Sequence, residues 1–470
     1  MQRLSSRRSS VAAVVLRPLL ALIALLWFNG CRTFHDSQQQ LHSLYDTGRP
    51  HAALKLIDDL RSERRAEHHI LAVDQAVLKL MVGQTEDVVR ELETLKRDLD
   101  YVSQQDASEQ ILAGLKDDTA ITWSGRTFER RMVDNLQLLS GIILNDSDTF
   151  ALATRSMAEI HREQRQGEDR TPVTPIEDVV EENFSGSEGS IGTTPSVNRF
   201  TAYLAAAVHS ERMQDSDLTD RLIQQAGYPS TQAGSNTSDI QQLGTRTSKG
   251  SGTLQVITFS GRVTSWEPEK VMPTSAALLI ADRVLSAVGD HTLPATVSAV
   301  RIARPIQPHA DSLLRTQVIA GPSNEAKSQV LVDVNANAWE SYKADRDEQI
   351  ARAVVRRVLK KGAVYTLKNS MNVEKESGTD FLLNLAGGLW ESFEKADLRH
   401  CELLPAAIEL AQLELPAGDH QITLQVVPCN GTQEAFGREQ LQVPITIEDG
   451  RNTFIVCFRP REKLVGIQNN

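Results

Sequence analysis

From residue 41 onward, apolar residues recur every three to four positions, the spacing that lines one face of a helix. "LHSLYDTGRPHAALKLIDDL" sets Leu41, Leu44, Tyr45, Ala52, Ala53, Leu56, Ile57 and Leu60 on apolar faces either side of a break at Gly48-Arg49-Pro50. "DQAVLKLMVGQTEDVVRELETL" repeats the arrangement around Gly83, and "LQLLSGIILNDSDTFALATRSMAEI" around Asn145-Asp146. A fourth pair reads "FTAYLAAAVHSERMQDSDLTDRLIQQAG". Four helical hairpins are therefore expected, three within residues 31–162 and one over 198–227.

The breaks at Gly48 and Gly83 lie 35 residues apart, and Asn145 follows 62 later, near two such periods. Helix–turn–helix units of about 34 residues characterise tetratricopeptide (TPR) repeats, each burying its face on the next. The small residues at and after the turns are TPR-like, whereas the Trp, Tyr and Pro positions of that consensus are missing. A plain helical bundle is the alternative.

Past residue 253 the period shortens to two. "GTLQVITFSGRVTSW" alternates and then meets Ser260-Gly261, the pattern of a β-hairpin. Further strands are expected at 296–303, 316–320, 329–334, 418–427, 440–447 and 452–458. One long helix, 337–361, interrupts them with Ile350, Val354, Val358 and Leu359 on its apolar side, and a shorter one is expected near 381–396. Helices first and strands afterwards make the fold class α+β, TPR-like hairpins followed by a β-sandwich-like domain with an inserted long helix. Two stretches rich in Pro, Gly, Ser and Thr, 163–197 and 228–252, read as linkers around the last hairpin. The β-rich domain then spans 253–460, with a tail at 461–470.

The first thirty residues have a different pattern. Residues 1–10 are polar and basic, and an apolar run follows, interrupted at Arg17-Pro18. The clean part, Leu19 to Phe28, covers about 15 Å as a helix, about half of a bilayer core. That layout matches a cleavable signal peptide over 1–30. Its end, Phe28-Asn29-Gly30-Cys31, resembles the lipobox of bacterial lipoproteins, in which a cysteine after a small residue is lipidated and becomes the new amino terminus. Phe28 and Asn29 depart from that pattern, which leaves an uncleaved anchor and plain secretion as alternatives. A lipidated Cys31 would tether the chain to a membrane with no spanning helix.

The formal charge of −11 becomes more negative without Arg3, Arg7, Arg8 and Arg17, so the chain repels phosphate backbones, and no nucleic-acid partner is expected. The basic run Arg352, Arg356, Arg357, Lys360 and Lys361 is interspersed with acids and reads as a solvated helix face. With Cys31 carrying lipid, three cysteines remain. Cys429 and Cys457 sit in strand-like stretches and are the candidate disulfide, three buried free thiols being the alternative. The chain contains no nucleophile elbow, P-loop, HExxH or paired CxxC. His400, Cys401, His420, Cys429 and Cys457 are too scattered for the tight ligand pairs of a zinc site, so no metal and no cofactor are expected. Asp397 and Arg399 read as a structural ion pair, the adjacent His68-His69 as exposed, and Trp339, Tyr342 and Trp390 as packing anchors.

The stretches "SGRTFERRMVDNLQLLSGIILND", "VNRFTAYLAAAVHSERMQD", "TLQVITFSGRV" and "EKADLRHCELLPAAIELAQLELPAGDH" together resemble a family of uncharacterised bacterial lipoproteins. Its members have a TPR-like N-terminal half and a C-terminal β domain, and the likeness covers most of residues 31–427. Relatives have an aromatic where Cys401 stands. The resemblance implies a lipid-anchored protein facing the periplasm or the cell exterior, with envelope proteins as partners, and it carries over no catalytic residue. The expected function is a protein-interaction or scaffold module without intrinsic catalysis. The alternative is an envelope enzyme whose site assembles from distant ionisable groups such as Asp397, His400 and His420.

Overall fold

The computed structural model describes residues 34–63, 67–104, 123–169, 196–212, 216–226, 249–288, 293, 297–307, 314–370, 396–429 and 440–469. Cys31 and the N-terminal segment lie outside these residues, as do most of both linkers, all but the last residue of the helix expected near 381–396, and Trp390. The fold is α+β. Eight helices come first: α1 (Phe34–Asp46), α2 (Pro50–Glu63), α3 (His68–Met81), α4 (Thr85–Gln104), α5 (Thr127–Ile143), α6 (Thr149–Asp169), α7 (Asn198–Arg212) and α8 (Ser216–Ala226). They pair as the four expected hairpins. The turns of the first three place Gly48, Gly83 and Asn145 at positive φ (69°, 84° and 50°), the left-handed conformation that glycine and asparagine adopt most readily.

The remaining elements are β1 (Ser251–Ser260), β2 (Trp266–Val271), α9 (Ser275–Val288), β3 (Val300–Pro305), β4 (Leu314–Ile319), β5 (Glu325–Lys327), β6 (Gln329–Asp333), α10 (Val334–Ser370), β7 (Ala407–Pro416), β8 (Gly418–Pro428), β9 (Leu441–Ile447), β10 (Asn452–Arg459) and β11 (Val465–Asn469). One sheet runs β11-β10-β1-β7-β6, a second β5-β4-β8-β9, and β2 pairs with β3 alone.

The five- and four-stranded sheets form the sandwich. Leu254, Val256, Ala411, Leu415 and Ile455 of the first meet Val318, Ile422, Leu424, Val443 and Ile445 of the second. The opposite face of the five-stranded sheet carries Ile257, Phe259, Ile408, Leu410, Phe454, Val456 and Phe458, and these share one core with the helices. The order is helices, sheet, sheet, so the middle layer is covered on both faces. Phe259 makes edge-to-face contacts with Phe200 of α7 and Phe458, at ring separations of 6.1 and 5.2 Å. A polar seam crosses the same interface: the Tyr203 hydroxyl donates to Gln255, and Gln412 Nε2 donates to the same oxygen at 2.7 Å.

Several expectations differ from the structure. The hairpin expected at Ser260-Gly261 does not form. β1 is instead the central strand, pairing parallel with β10 and antiparallel with β7, while the chain beyond Gly261 leads to β2. Residues 407–416 are rich in Ala, Leu, Glu and Gln, strong helix formers, yet they form β7 because both faces of the middle sheet are buried there. The long helix extends at both ends beyond 337–361. Its basic run is not simply solvated: Arg356 is buried, and Arg357 Nη1 donates to Ser298 Oγ at 2.7 Å and to the carbonyls of Ser298 and Ala299. Residues after 460 include edge strand β11. Gly466 (φ 65°) lies so close to α3 that a Cβ there would stand 2.5 Å from the Met81 carbonyl oxygen. Among the described residues, no helix is long and apolar enough to cross a membrane.

Candidate functional site

Two polar assemblies stand out, one sealed and one open. The sealed one forms where residues 396–406, leading into β7, thread between the helices. These residues lack a regular ladder, so their backbone groups need partners from elsewhere. Asp74, in the middle of α3, supplies two acceptors: Oδ1 takes the Leu403 N–H at 2.9 Å and Oδ2 the Glu402 N–H at 3.3 Å. Glu129, in the first turn of α5, supplies two more. Its Oε2 takes the Arg126 N–H (2.8 Å), closing that helix's start, and its Oε1 takes the Cys401 N–H (2.9 Å). Arg126 lies over the Trp266 ring at 3.7 Å and donates to the Arg399 carbonyl at 2.8 Å.

The side chains of this segment point into the same junction. Glu402 accepts from Gln38 Nε2 at 2.6 Å and meets His42 Nε2 at 2.8 Å, both on α1, while His400 Nε2 stands 3.1 Å from the same carboxylate. Burial pushes the Glu402 carboxyl up, but the imidazoles of His400 and His42 outweigh it and hold the group well below the usual carboxylate range. For His400, burial works against the charged ring, and the Glu402 charge 3.1 Å away reverses that, leaving its pKa raised. Asp74, only 1% exposed, is pushed up to about 8, chiefly by burial and in part by the nearby Glu402 charge. Burial likewise raises the Cys401 thiol, with Glu129 and Asp74 adding to it, so it stays protonated and unreactive at neutral pH.

The open assembly is a groove of about 380 Å³ between the end of α2, the start of α3 and α4. Arg61, His68, His69, Asp87, Arg90 and Asp98 give it walls of mixed charge. Arg90 pairs with Asp87, His69 Nδ1 reaches the Trp123 carbonyl at 3.2 Å, and Arg61 reaches His68 Nε2 at 3.1 Å. Burial and the Arg61 charge lower the His68 pKa, so its ring is neutral at pH 7. His68 is exposed as expected and His69 is half-buried, and both line this groove.

Of the residues singled out in the sequence, Asp397 and Arg399 form the expected ion pair, at 2.7 Å. Asp397, His400 and His420 do not converge: His400 is sealed against Glu402, whereas His420 lies on β8 and bonds the Pro416 carbonyl. Cys457 is buried beside Thr258 with its thiol pushed up to about 12 by burial, and Cys429 is exposed beyond Pro428. Both are free thiols, as is Cys401. Trp339 and Tyr342 stack edge to face at 5.8 Å on α10. Among the described residues, no group of three His, Cys, Asp or Glu side chains is disposed to hold a metal ion.

Asp74, Glu129, Glu402 and His42 were not singled out by the sequence reading. Asp74 had a visible signal, as a lone acid within "ILAVDQAVLKLM" that any helical face would bury. Glu129 also had one, three residues into a helix start. No family model, curated protein or solved structure matches the chain.

Proposed function

We propose that this protein is an exported, lipid-anchored interaction or scaffold module of a bacterial envelope, with no catalysis of its own. Its tether is Cys31, and it faces the periplasm or the cell exterior. The helical hairpins, including the open groove between α3 and α4, meet envelope proteins. The observation that carries this reading is where Gly30-Cys31 falls: at the end of the apolar run and three residues ahead of α1, which begins at Phe34. α1 is no free spacer, since Leu41 and Tyr45 are buried in the core and Glu402 holds Gln38 and His42. A lipid on Cys31 would therefore keep the globule close to the bilayer.

Metabolic labelling with a palmitate analogue tests the anchor. Wild type is expected to incorporate label and to fractionate with membranes, and Cys31→Ser to lose the label. Label retained in Cys31→Ser would sink the reading.

A further inference from the structure

The sealed junction has a property that is independent of any lipid. Nδ1 of His400 is hydrogen-bonded to the Leu398 carbonyl oxygen at 3.0 Å, and Nε2 stands 3.1 Å from Glu402 Oε2 as an ion contact without hydrogen-bond alignment. With the Nδ1 proton given to Leu398, a neutral ring would leave an unprotonated Nε2 3.1 Å from a buried carboxylate oxygen, whereas a doubly protonated ring makes the same contact an ion pair, so the contact favours the charged ring. The ring is 3% exposed, so water does not stand in for the missing proton. Glu402, which this cation holds, is the group that receives Gln38 and His42 from α1.

We propose that the junction is a proton-held latch: protonated His400 fixes Glu402, Glu402 fixes the first half of α1, and loss of the His400 proton frees it. The groups facing His400 come from every element packed around it. Glu402 on its own segment favours the charge. From α3, Asp74 lies within its field, and from the start of α5 Arg126 opposes it, while Glu129 is occupied by the Cys401 and Arg126 amides. His42 of α1 shares the Glu402 carboxylate.

The sign follows from the raised His400 pKa. The stability this ring contributes is fully present at acidic pH and is lost as pH climbs above 6.5 through the folded-state value. Asp74 acts in the same direction, because its ionisation near pH 8 places a second negative charge beside Glu402. The latch closes in mild acid and loosens in alkali. Asp46, at the other end of α1, stays paired with Arg262 (3.0 Å) and Arg461 (2.9 Å), so the helix is freed at one end only.

Amide hydrogen exchange on the full chain, corrected for intrinsic rates, tests this at pH 6 and pH 9. Protection over 37–42 is expected to fall about tenfold or more relative to α4 in wild type. It is expected to be low and flat in His400→Gln, and in Asp74→Asn to retain the step with a changed midpoint. Nitrogen shifts of the His400 ring in wild type at pH 6 are expected to report two protonated nitrogens, a readout that needs no variant to fold. Equal protection at both pH values, a step that survives in His400→Gln, or a neutral ring at pH 6 overturns the proposal.

Discussion

Two buried carboxylates in this molecule are neutralised in different ways. Inside the sandwich, Glu409 is paired with Arg459, takes a 2.6 Å hydrogen bond from Ser328 Oγ and has Arg315 Nη1 at 3.7 Å. Neither Glu409 nor Arg459 is more than 1% exposed. In the helical junction, Glu402 is paired with His400 and His42. A guanidinium keeps its proton at every pH the fold survives, whereas an imidazole gives its proton up near neutrality. The first pair is a permanent rivet, and the second is conditional on pH.

The largest expected effect comes from breaking the permanent pair. Arg459→Met leaves the sealed Glu409 carboxyl with only the longer Arg315 contact, which costs about 3–5 kcal/mol. Chemical denaturation should show a loss of that size that varies little between pH 6 and 9, and Arg459→Met/Glu409→Leu should recover much of it. A loss that fades with rising pH would remove the distinction between the two sites.

An intermediate effect tests the conditional pair. Folded Asp74 binds its proton up to about pH 8, against 3.8 when unperturbed, so its contribution to stability falls as pH rises between those values. Asp74→Asn removes this slope but cannot accept both backbone N–H groups, at a cost of about 1–2 kcal/mol in mild acid. Denaturation midpoints against pH should therefore give a flatter curve for the variant, with the deficit shrinking toward pH 9. The smallest expected effect is on the surface. Glu348 and Arg352 of α10 pair across one turn at more than half exposure, so Arg352→Ala should change stability by no more than about 0.5 kcal/mol and lose that effect in high salt.

The helical hairpins were legible because their signal is local. A 3.6-residue period broken at Gly48, Gly83 and Asn145 needs no knowledge of partners, and the turns fell at those residues. The strands at 329–334, 418–427, 440–447 and 452–458 were legible for the same reason. The place of β1 was not, because an alternating run followed by Ser260-Gly261 has the same local form whether its neighbour is the next segment or residues 452–459. β7 was obscured by residues that favour helices in isolation. At the junction, sequence reasoning identified the Asp397–Arg399 pair, whose partners are two residues apart. It missed Glu402 with His42, which lie 360 residues apart, and Asp74 with Leu403, which lie 329 apart.

The strand order of the middle sheet also constrains how the molecule can be made. β1 is the first strand to be made, but both neighbours it needs, β7 and β10, come from the last quarter of the chain. Until residues 407–459 arrive, the hairpins have no apolar wall to pack against and β1 offers two bare edges to any passing strand. A chain that stops before Asn452 is therefore expected to be an aggregation hazard and a target for quality-control proteases, more than a shorter working version of the protein.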